Sequence, residues 1–181
     1  MELINILEYP DPRLKRKGKK VADFGKEFQA IVDRMFATKY GTENCAALAA
    51  TQLDLPDAPH VTVIDLSRIN DQPLCLVNAE IIEREGVQNE EEGCMSVGCA
   101  IGIPTHANVE RDLKIRVKAQ DRFGEPLDFS AEGYLAKCIQ HELDHLQGKI
   151  FLDHLSPLKR ERLEKKLAKE KKQKKEKYDV F

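Results

Sequence analysis

Long apolar runs are missing from this sequence. No stretch approaches the roughly 18 consecutive apolar residues that a membrane-spanning helix needs. The segment from Met1 to Tyr9 also lacks the basic start and the long apolar run of a secretory signal peptide. We therefore expect a cytoplasmic protein that contacts no membrane.

A paired set of cysteines is also missing. The five cysteines, at positions 45, 75, 94, 99 and 138, are odd in number and do not have the spacing of a small disulfide-stapled domain. They are expected to be thiols or metal ligands in a reducing compartment. The 181 residues contain no internal repeat and no interdomain linker, and they are enough for one domain with its own core.

The charge is unevenly distributed along the chain. The formal net charge is −2, but residues 159–177 carry eleven Lys and Arg against four Glu, which is a local charge of +7. The rest of the chain is therefore at about −9. A basic segment on an acidic body suggests that the segment meets an anionic partner.

Apolar spacing predicts three helices and several strands. The first helix covers about residues 24–39, and the second covers about 131–147, with Ser130 as its cap and Gly148 at its end. The third begins at Ser156-Pro157, and beyond Leu167 we expect it to be solvated or frayed because it is nearly all Lys and Glu. Strand-like runs cover residues 61–66, 74–77, 81–87, 113–119 and 127–129.

The second helix carries an H-E-x-x-H motif from His141 to His145. Residues four positions apart share one face of a helix, so the two imidazoles can bind one metal ion. Glu142 projects beside them, where its carboxylate can take a proton from a water that the metal activates. A tetrahedral catalytic metal needs a third protein ligand in addition.

That third ligand has to come from outside the motif. The pattern with a third histidine six residues further on fails, because that position is Phe151. His154 follows the end of the helix and is expected at the surface. Upstream, Cys94 lies in an acidic, Gly-containing segment, and a thiolate with two neutral imidazoles suits zinc or ferrous iron. Cys99 could compete for the role, although its apolar neighbours also suit a buried thiol.

Two segments together resemble the peptide deformylase family. Glu92-Gly93-Cys94-Met95-Ser96 matches the family motif E-G-C-φ-S, and Gln140–Gly148 matches Q-H-E-x-D-H-φ-x-G, where φ is apolar. A further family motif, G-φ-G-φ-A-A-x-Q, is matched only from Leu48 to Gln52. The resemblance covers nearly the whole chain. It implies an α+β fold in which antiparallel sheets surround a central helix that carries H-E-x-x-H, followed by a C-terminal helix.

The resemblance implies a metallohydrolase that removes the N-terminal formyl group from formylmethionyl nascent polypeptides and releases formate. By matching position, Cys94, His141 and His145 would hold one divalent metal ion. The usual metal of the family is Fe²⁺, while Zn²⁺, Ni²⁺ and Co²⁺ suit the same ligands.

Further roles follow from the same resemblance. Glu142 would transfer the proton, and the Gln52 amide and the Met95 backbone N–H would stabilise negative charge on the formyl oxygen. Glu92 would organise the Cys94 loop through a buried ion pair. The substrate pocket would be lined by Ala47, Leu48, Tyr134 and Cys138.

Several positions depart from the family pattern. Cys45 and Ala47 stand where the family has two glycines, and a Cβ at Ala47 takes space near the substrate backbone and restricts φ. The stretch 98–112 does not supply the expected Pro-Arg and reads Pro104-Thr105-His106. Lys137 stands where an aliphatic residue is common, and its stem can cover apolar surface. We therefore expect preserved metal chemistry with an altered peptide-docking surface.

The domain boundaries and the partners also follow as expectations. Residues 1–158 should form the catalytic domain of a monomer, and residues 159–181 a basic C-terminal helix. In some bacterial deformylases such a helix docks at the ribosome, and its charge suits ribosomal RNA. A helix that only adds solubility stays an alternative. Two other functions stay open: a deformylase-fold enzyme with low activity or another small-amide substrate, and a non-catalytic, ribosome-associated metal protein.

Overall fold

Two antiparallel sheets make up the β-structure of the computed structural model, which describes residues 2–178 and the side chains of residues 2–176. The larger sheet has the strand order β1-β2-β3-β6-β7, and β4 pairs separately with β5. The strands are β1 (Ala47–Ala49), β2 (Val61–Ile64), β3 (Leu74–Glu85), β4 (Gln88–Gly93), β5 (His106–Arg111), β6 (Lys114–Gln120) and β7 (Pro126–Glu132). The predicted α+β class with antiparallel sheets is confirmed.

Three α-helices accompany the sheets in the described part of the chain. They are α1 (Lys26–Gly41), α2 (Gly133–Leu146) and α3 (Pro157–Tyr178). None of these helices is long and apolar enough to cross a membrane. The helix α1 starts two residues later than predicted, because Gly25 takes the N-cap and Phe24 packs from outside against Phe28.

Successive side chains of a strand point to opposite faces of a sheet, and both faces of the large sheet are covered by a hydrophobic core. Val61 and Val63 of β2 point to one face, where they join the core that α1 closes with Val32 and Met35. Ile64 of β2 and Leu76 of β3 join the other core, which α2 closes with Ala136 and Ile139. The helix α2 also contacts β4 through Lys137 and β5 through Asp144, and it therefore lies between the two sheets.

The start of α2 differs from the prediction. Ser130 does not cap the helix, because β7 continues to Glu132 and Ser130 pairs there with Arg116 of β6. The chain turns directly from strand to helix at Gly133, whose φ of 59° lies in the left-handed region that favours glycine. The predicted helix start was therefore too early by two residues.

The end of α2 is where the sequence predicts it. The helix ends at Leu146, and Gly148 follows with a φ of 75°. A Cβ at Gly148 would lie 2.3 Å from the carbonyl oxygen of Lys15, so glycine also permits the N-terminal segment to approach. The backbone N–H of Gly18 donates to the Leu146 carbonyl oxygen at 2.9 Å and ties the two segments together.

The strand predictions differ from the structure in two ways. Two predicted runs form one continuous strand, and strands without an apolar pattern were not predicted. The runs 74–77 and 81–87 belong mostly to one strand, β3, which passes through a β-bulge near Asn78. Asn78 has a φ of 51°, and its amide bonds both the N–H and the carbonyl oxygen of Val21. The strands β1, β4 and β5 were not predicted, because β1 is a run of small residues and the other two are largely polar.

Beyond Leu167 the helix α3 is solvated on one face, as predicted, but it is not frayed. The helix continues to Tyr178, and Leu167 is buried against the cluster that contains Cys94 and Val97. The ammonium of Lys171 donates to the Tyr9 carbonyl oxygen at 2.5 Å, and that of Lys174 donates to the Ile101 carbonyl oxygen. One face of this helix is therefore docked, and the opposite face is exposed.

Candidate metal centre and its cavity

Three possible metal ligands converge between the helix α2 and the loop after β4. The sulfur of Cys94 lies 3.2 Å from Nε2 of His145, and that nitrogen lies 3.2 Å from Nε2 of His141. All three atoms lie within 4.8 Å of one another. These are the three residues that the sequence analysis selected as ligands, and Cys99 is not part of the group.

The spacing of the three atoms fits a single ion. A tetrahedral ion with ordinary metal–sulfur and metal–nitrogen bond lengths separates its ligand atoms by about 3.3–3.6 Å. The observed separations of 3.2 Å are close to this range. Burial lowers the pKa of His145 well below its usual range, which keeps this imidazole neutral, as a metal ligand must be.

A carboxylate behind the ligands orients His141. Its Nδ1 lies 2.9 Å from Oε2 of Glu92, so that Nδ1 donates and Nε2 is left for the metal. The guanidinium of Arg111 donates to both oxygens of Glu92, at 2.8 and 3.1 Å. Burial would raise the pKa of Glu92, but the hydrogen bonds from His141 and Arg111 outweigh it and lower the pKa to about 2. Glu92 thus stays ionised and holds the imidazole in one tautomer.

Arg111 also contacts a second carboxylate, Asp144 of α2. Its guanidinium donates to Asp144 at 2.5 Å, and Nε2 of His154 lies 2.7 Å from the same carboxylate oxygen. Burial opposes ionisation of Asp144, but the His154 hydrogen bond and the Arg111 charge lower its pKa to about 2. His154 is exposed, as expected, and lies outside the group of possible ligands. The contacts connect β4, β5 and α2 behind the ligand atoms.

Glu142 faces the cavity from within the helix α2. It is 4% exposed, and its Oε2 has no hydrogen-bond partner in the described part of the chain. Burial raises the pKa of Glu142 to about 7. A carboxylate with an uncommitted oxygen and a pKa near neutrality can both accept and return a proton.

Two N–H hydrogen-bond donors lie next to the possible metal ligands. The side-chain oxygen of Gln52 accepts from the Ala49 backbone N–H at 2.8 Å, which turns its NH₂ group toward Ser96 Oγ at 3.2 Å and Cys94 Sγ at 3.7 Å. The backbone N–H of Met95 has no acceptor within residues 2–178. Both groups belong to the wall of the cavity, and both can donate to an oxygen that gains negative charge there.

The cavity in front of the ligands has a volume of about 570 Å³. The predicted pocket residues Ala47, Tyr134 and Cys138 line it. Leu48 does not line it: its side chain is fully buried in the core beneath α1, which argues against the predicted contact with a substrate. Cys99 lines the cavity without reaching the ligand group.

The two residues that replace motif glycines are accommodated without strain. Positive φ among the described non-glycine residues occurs at Asn44, Asn70 and Asn78, and thus at neither Cys45 nor Ala47. Ala47 is part of the strand β1 and pairs with Ile64. The expected restriction of φ is therefore of no consequence here, and the Cβ of Ala47 matters only through the space it takes.

Arg111 is the residue that the sequence analysis missed. The family pattern predicts an arginine beside Pro104, but the arginine that contacts Glu92 comes seven residues later, at the end of β5. Its partners are 19 and 33 residues away in sequence, so no local pattern reveals them. A usable signal is the alternation along this segment, which places Arg111 on the same inward face as Ala107 and Val109.

Comparisons with known proteins agree with this arrangement. The family model described as polypeptide deformylase matches residues 3–161. A curated protein from Coxiella burnetii, peptide deformylase 1, is 58% identical over 167 residues, which cover 92% of this chain and 96% of that protein.

The chain is also similar to solved structures of peptide deformylases. The crystal structure of a peptide deformylase from Legionella pneumophila is 39% identical, with a TM-score of 0.86 and with 96% of this chain and 98% of that chain covered. The peptide deformylase from Thermotoga maritima is 32% identical, with a TM-score of 0.76 and with 87% of this chain and all (100%) of that chain covered. Sequence, fold and ligand geometry therefore agree, and the chain belongs to the polypeptide deformylase family.

Proposed function

We propose that Cys94, His141 and His145 hold the divalent metal ion with which this deformylase removes the N-terminal formyl group of formylmethionyl nascent peptides. The observation that carries the proposal is the convergence of one sulfur and two imidazole nitrogens within 4.8 Å, beside a buried glutamate. A bound divalent ion would polarise the formyl oxygen and lower the pKa of water toward neutrality. We propose Fe²⁺ as the native metal, since the family commonly uses it and the ligand set suits it.

In this proposal Glu142 moves the proton. Its free Oε2 takes a proton from the attacking water and later gives it to the amine of the leaving peptide. The NH₂ group of Gln52 and the N–H of Met95 donate to the formyl oxygen as its carbon becomes tetrahedral. Loss of one such donor is expected to cost about 2.7–4 kcal/mol of transition-state stabilisation. Glu92 and Arg111 act indirectly, by holding His141.

The peptide itself docks, in our proposal, along the strand β1. This strand pairs with β2 on one side only, and Ala47 faces the cavity from it. An edge strand offers unpaired backbone groups to an extended peptide. The side chain of the formylated residue then occupies the cavity beside Tyr134 and Cys138.

The test is formate release from N-formylmethionyl peptides by the anaerobically purified, Fe²⁺-loaded protein. We expect turnover by the wild type and a loss of at least a hundredfold in kcat for Glu142→Gln, a variant with the same shape and no base. Metal content of the two proteins should be equal, which separates proton transfer from metal binding. Equal rates in both would contradict the role of Glu142, and no formate from the wild type would contradict the assigned activity.

The alternatives of a non-catalytic metal protein or another small-amide substrate are not favoured. The proton-transfer residue and the two N–H donors are all present at the ligands, and a purely structural metal site uses none of them. A structural site also has no need of a cavity of about 570 Å³ in front of the ion.

We further propose that the exposed face of α3 binds ribosomal RNA, which would keep a monomeric enzyme in the cytoplasm near its substrate. The face carries exposed basic residues along several turns: Lys159, Arg162, Lys166, Lys169, Lys172 and Lys175. The inward-facing Lys171 and Lys174 are occupied by carbonyl oxygens of the body. Phosphate recognition by such a face is electrostatic and weakens with salt.

Point variants test this better than truncation, because removing α3 would also remove the buried Leu167. We expect Lys166→Gln/Lys169→Gln/Lys172→Gln to weaken ribosome co-sedimentation and to flatten its salt dependence. The matched control is a triple change of exposed lysines on the body, at Lys17, Lys114 and Lys118. Equal co-sedimentation of both variants would leave α3 as a solubilising helix.

A further inference from the structure

A lysine lies in the wall of the cavity, next to the metal ligands. Lys137 of α2 is 9% exposed, and its ammonium donates to the Glu91 carbonyl oxygen at 3.1 Å. The same ammonium lies 4.8 Å from the centre of the Tyr134 ring. Among the described residues no carboxylate pairs with it. Burial of a lysine head without a carboxylate is costly, so stability does not explain this position.

The position of Lys137 along α2 indicates which part of a bound substrate it would contact. Cavity-lining residues of this helix occur at each turn: His141 and Glu142, then Lys137 and Cys138, then Tyr134. Each turn advances about 5.4 Å. The first side chain of a formyl peptide leaves the chain one atom beyond the formylated nitrogen, and an extended methionine spans about one such turn. A first side chain that extends along α2 toward Tyr134 therefore has its tip at about the level of Lys137 when the formyl group is at the ligands.

The ammonium has donor capacity to spare. A lysine head carries three N–H donors and no acceptor. One donor is used by the Glu91 carbonyl oxygen, and the Tyr134 ring face receives the positive charge by a cation–π contact. At least one donor is thus free for a group inside the cavity. The thioether sulfur of methionine is a weak acceptor, and the oxygen of methionine sulfoxide is a strong one.

We propose that Lys137 is a specificity-determining residue that donates a hydrogen bond to the acceptor atom at the tip of the first side chain. The proposal rests on the deformylase activity described above. It extends the substrate class to N-formyl peptides whose first residue is methionine sulfoxide, which a purely apolar pocket would reject. It also means that the pocket prefers methionine to norleucine, which has the same shape and no acceptor.

The experiment compares three N-formyl tripeptides that differ only in the first residue: methionine, methionine sulfoxide and norleucine. Formate release gives kcat/KM for the metal-loaded wild type, Lys137→Met, Lys137→Arg and the exposed-lysine control Lys118→Met. In Lys137→Met we expect the sulfoxide-to-norleucine ratio of kcat/KM to fall about tenfold to a hundredfold. Lys137→Arg should keep most of the ratio, because it keeps a cationic donor, and Lys118→Met should keep all of it.

Each outcome has a distinct meaning. If the wild type releases formate from formylmethionine but the ratio is unchanged in Lys137→Met, the donor role is wrong and the deformylase activity stands. A uniform loss on all three peptides in Lys137→Met also overturns the proposal, since a merely structural lysine would act in that way. If the wild type is inactive on formylmethionine, the activity itself fails first.

Discussion

At the scale of single residues, Arg111 affects the possible metal site indirectly, through its ion pair with Glu92. Its side chain is 4% exposed, and it neutralises Glu92, whose side chain is 3% exposed. Removal of the arginine from such a pair leaves the negative charge of the buried carboxylate uncompensated. The loss would extend to His141, one of the three possible metal ligands, since Glu92 holds its imidazole.

We expect Arg111→Met to lower the free energy of unfolding by about 3–5 kcal/mol. Metal affinity should fall about tenfold to a hundredfold as well, because the orientation of His141 is weakened. Urea unfolding of the metal-loaded protein measures the first effect, and a chelator competition measures the second.

The matched control is Arg116→Met. This arginine bonds Glu83 at 3.0 Å and Asp128 at 2.8 Å, but all three side chains are well exposed. Exposed ion pairs contribute about 0–1 kcal/mol. Similar losses from the two substitutions would contradict the special role of the buried pair.

A second residue-scale prediction concerns Ala47. The Cβ of Ala47 faces the cavity, so Ala47→Gly should make room for the peptide backbone and lower KM for formylmethionyl peptides. The free energy of unfolding should fall by about 0.5–1 kcal/mol, because glycine weakens a strand. Steady-state kinetics and urea unfolding check both parts.

Ala79→Gly serves as the comparison for Ala47. It is also a buried strand alanine, at 5% exposure against 6%, and it does not line the cavity at the ligands. We expect a similar loss of stability without a change in KM. A KM that is the same in wild type and Ala47→Gly would show that the methyl group does not limit docking.

The residue scale also shows what the sequence could predict of the site. Cys94, His141 and His145 were found because helical spacing and a local motif carry them. Arg111, Asp144 as its partner, and the use of Lys137 were not found. These roles depend on contacts between β4, β5 and α2, and no local spacing encodes a contact between distant segments.

At the scale of elements, the C-terminal helix α3 is highly charged, but one of its faces is packed against the rest of the protein. Its sequence beyond Leu167 is almost entirely charged, yet Leu167 is 3% exposed. It packs in the same cluster as Cys94, Val97 and Ile103. The loop that carries Cys94 is therefore supported from behind by α3.

We expect Leu167→Ala to cost about 2–5 kcal/mol of unfolding free energy, as truncation of a buried leucine does. Leu158→Ala, in the same helix at 56% exposure, should stay within about 0.5 kcal/mol of the wild type. The two urea unfolding midpoints test this directly, and a marginal loss in Leu167→Ala would mean that α3 only rests on the surface.

Elements were predicted well where apolar periodicity exists. The helix α2, with its Gly148 end, and the strand β6, with its alternation, were both found. Elements without that signal were not found: β4 (Gln88–Gly93) has no apolar side chain, and only its pairing with β5 makes it a strand. Ser130 looked like a helix cap because nothing in sequence shows that β7 still pairs at that position.

At the scale of the whole molecule, the five cysteines are free thiols in different environments. Burial raises the pKa of Cys45 and of Cys75 to about 12. Cys99 is partly exposed in the cavity wall. A thiolate is the reactive form, so reactivity should follow exposure and pKa together.

We expect iodoacetamide at about pH 8 to modify Cys99 before Cys45 and Cys75. At that pH a thiol with a pKa of about 12 is thiolate in only about one molecule in ten thousand. Peptide mass mapping over time gives the order, and the same reaction in denaturing urea should remove the differences. Labelling of Cys45 as fast as Cys99 in the native protein would contradict the buried position of Cys45.

The docked face of α3 also sets an order of events during synthesis. Tyr9 bonds Glu164, 155 residues later, and Leu167 packs behind the Cys94 loop. At about 5–20 residues per second, the ribosome makes Leu167 several seconds after Cys94. The loop therefore emerges long before its support exists. The Cys94 loop is therefore supported from behind only after α3 has been made, so the three possible ligands reach their final arrangement late in synthesis.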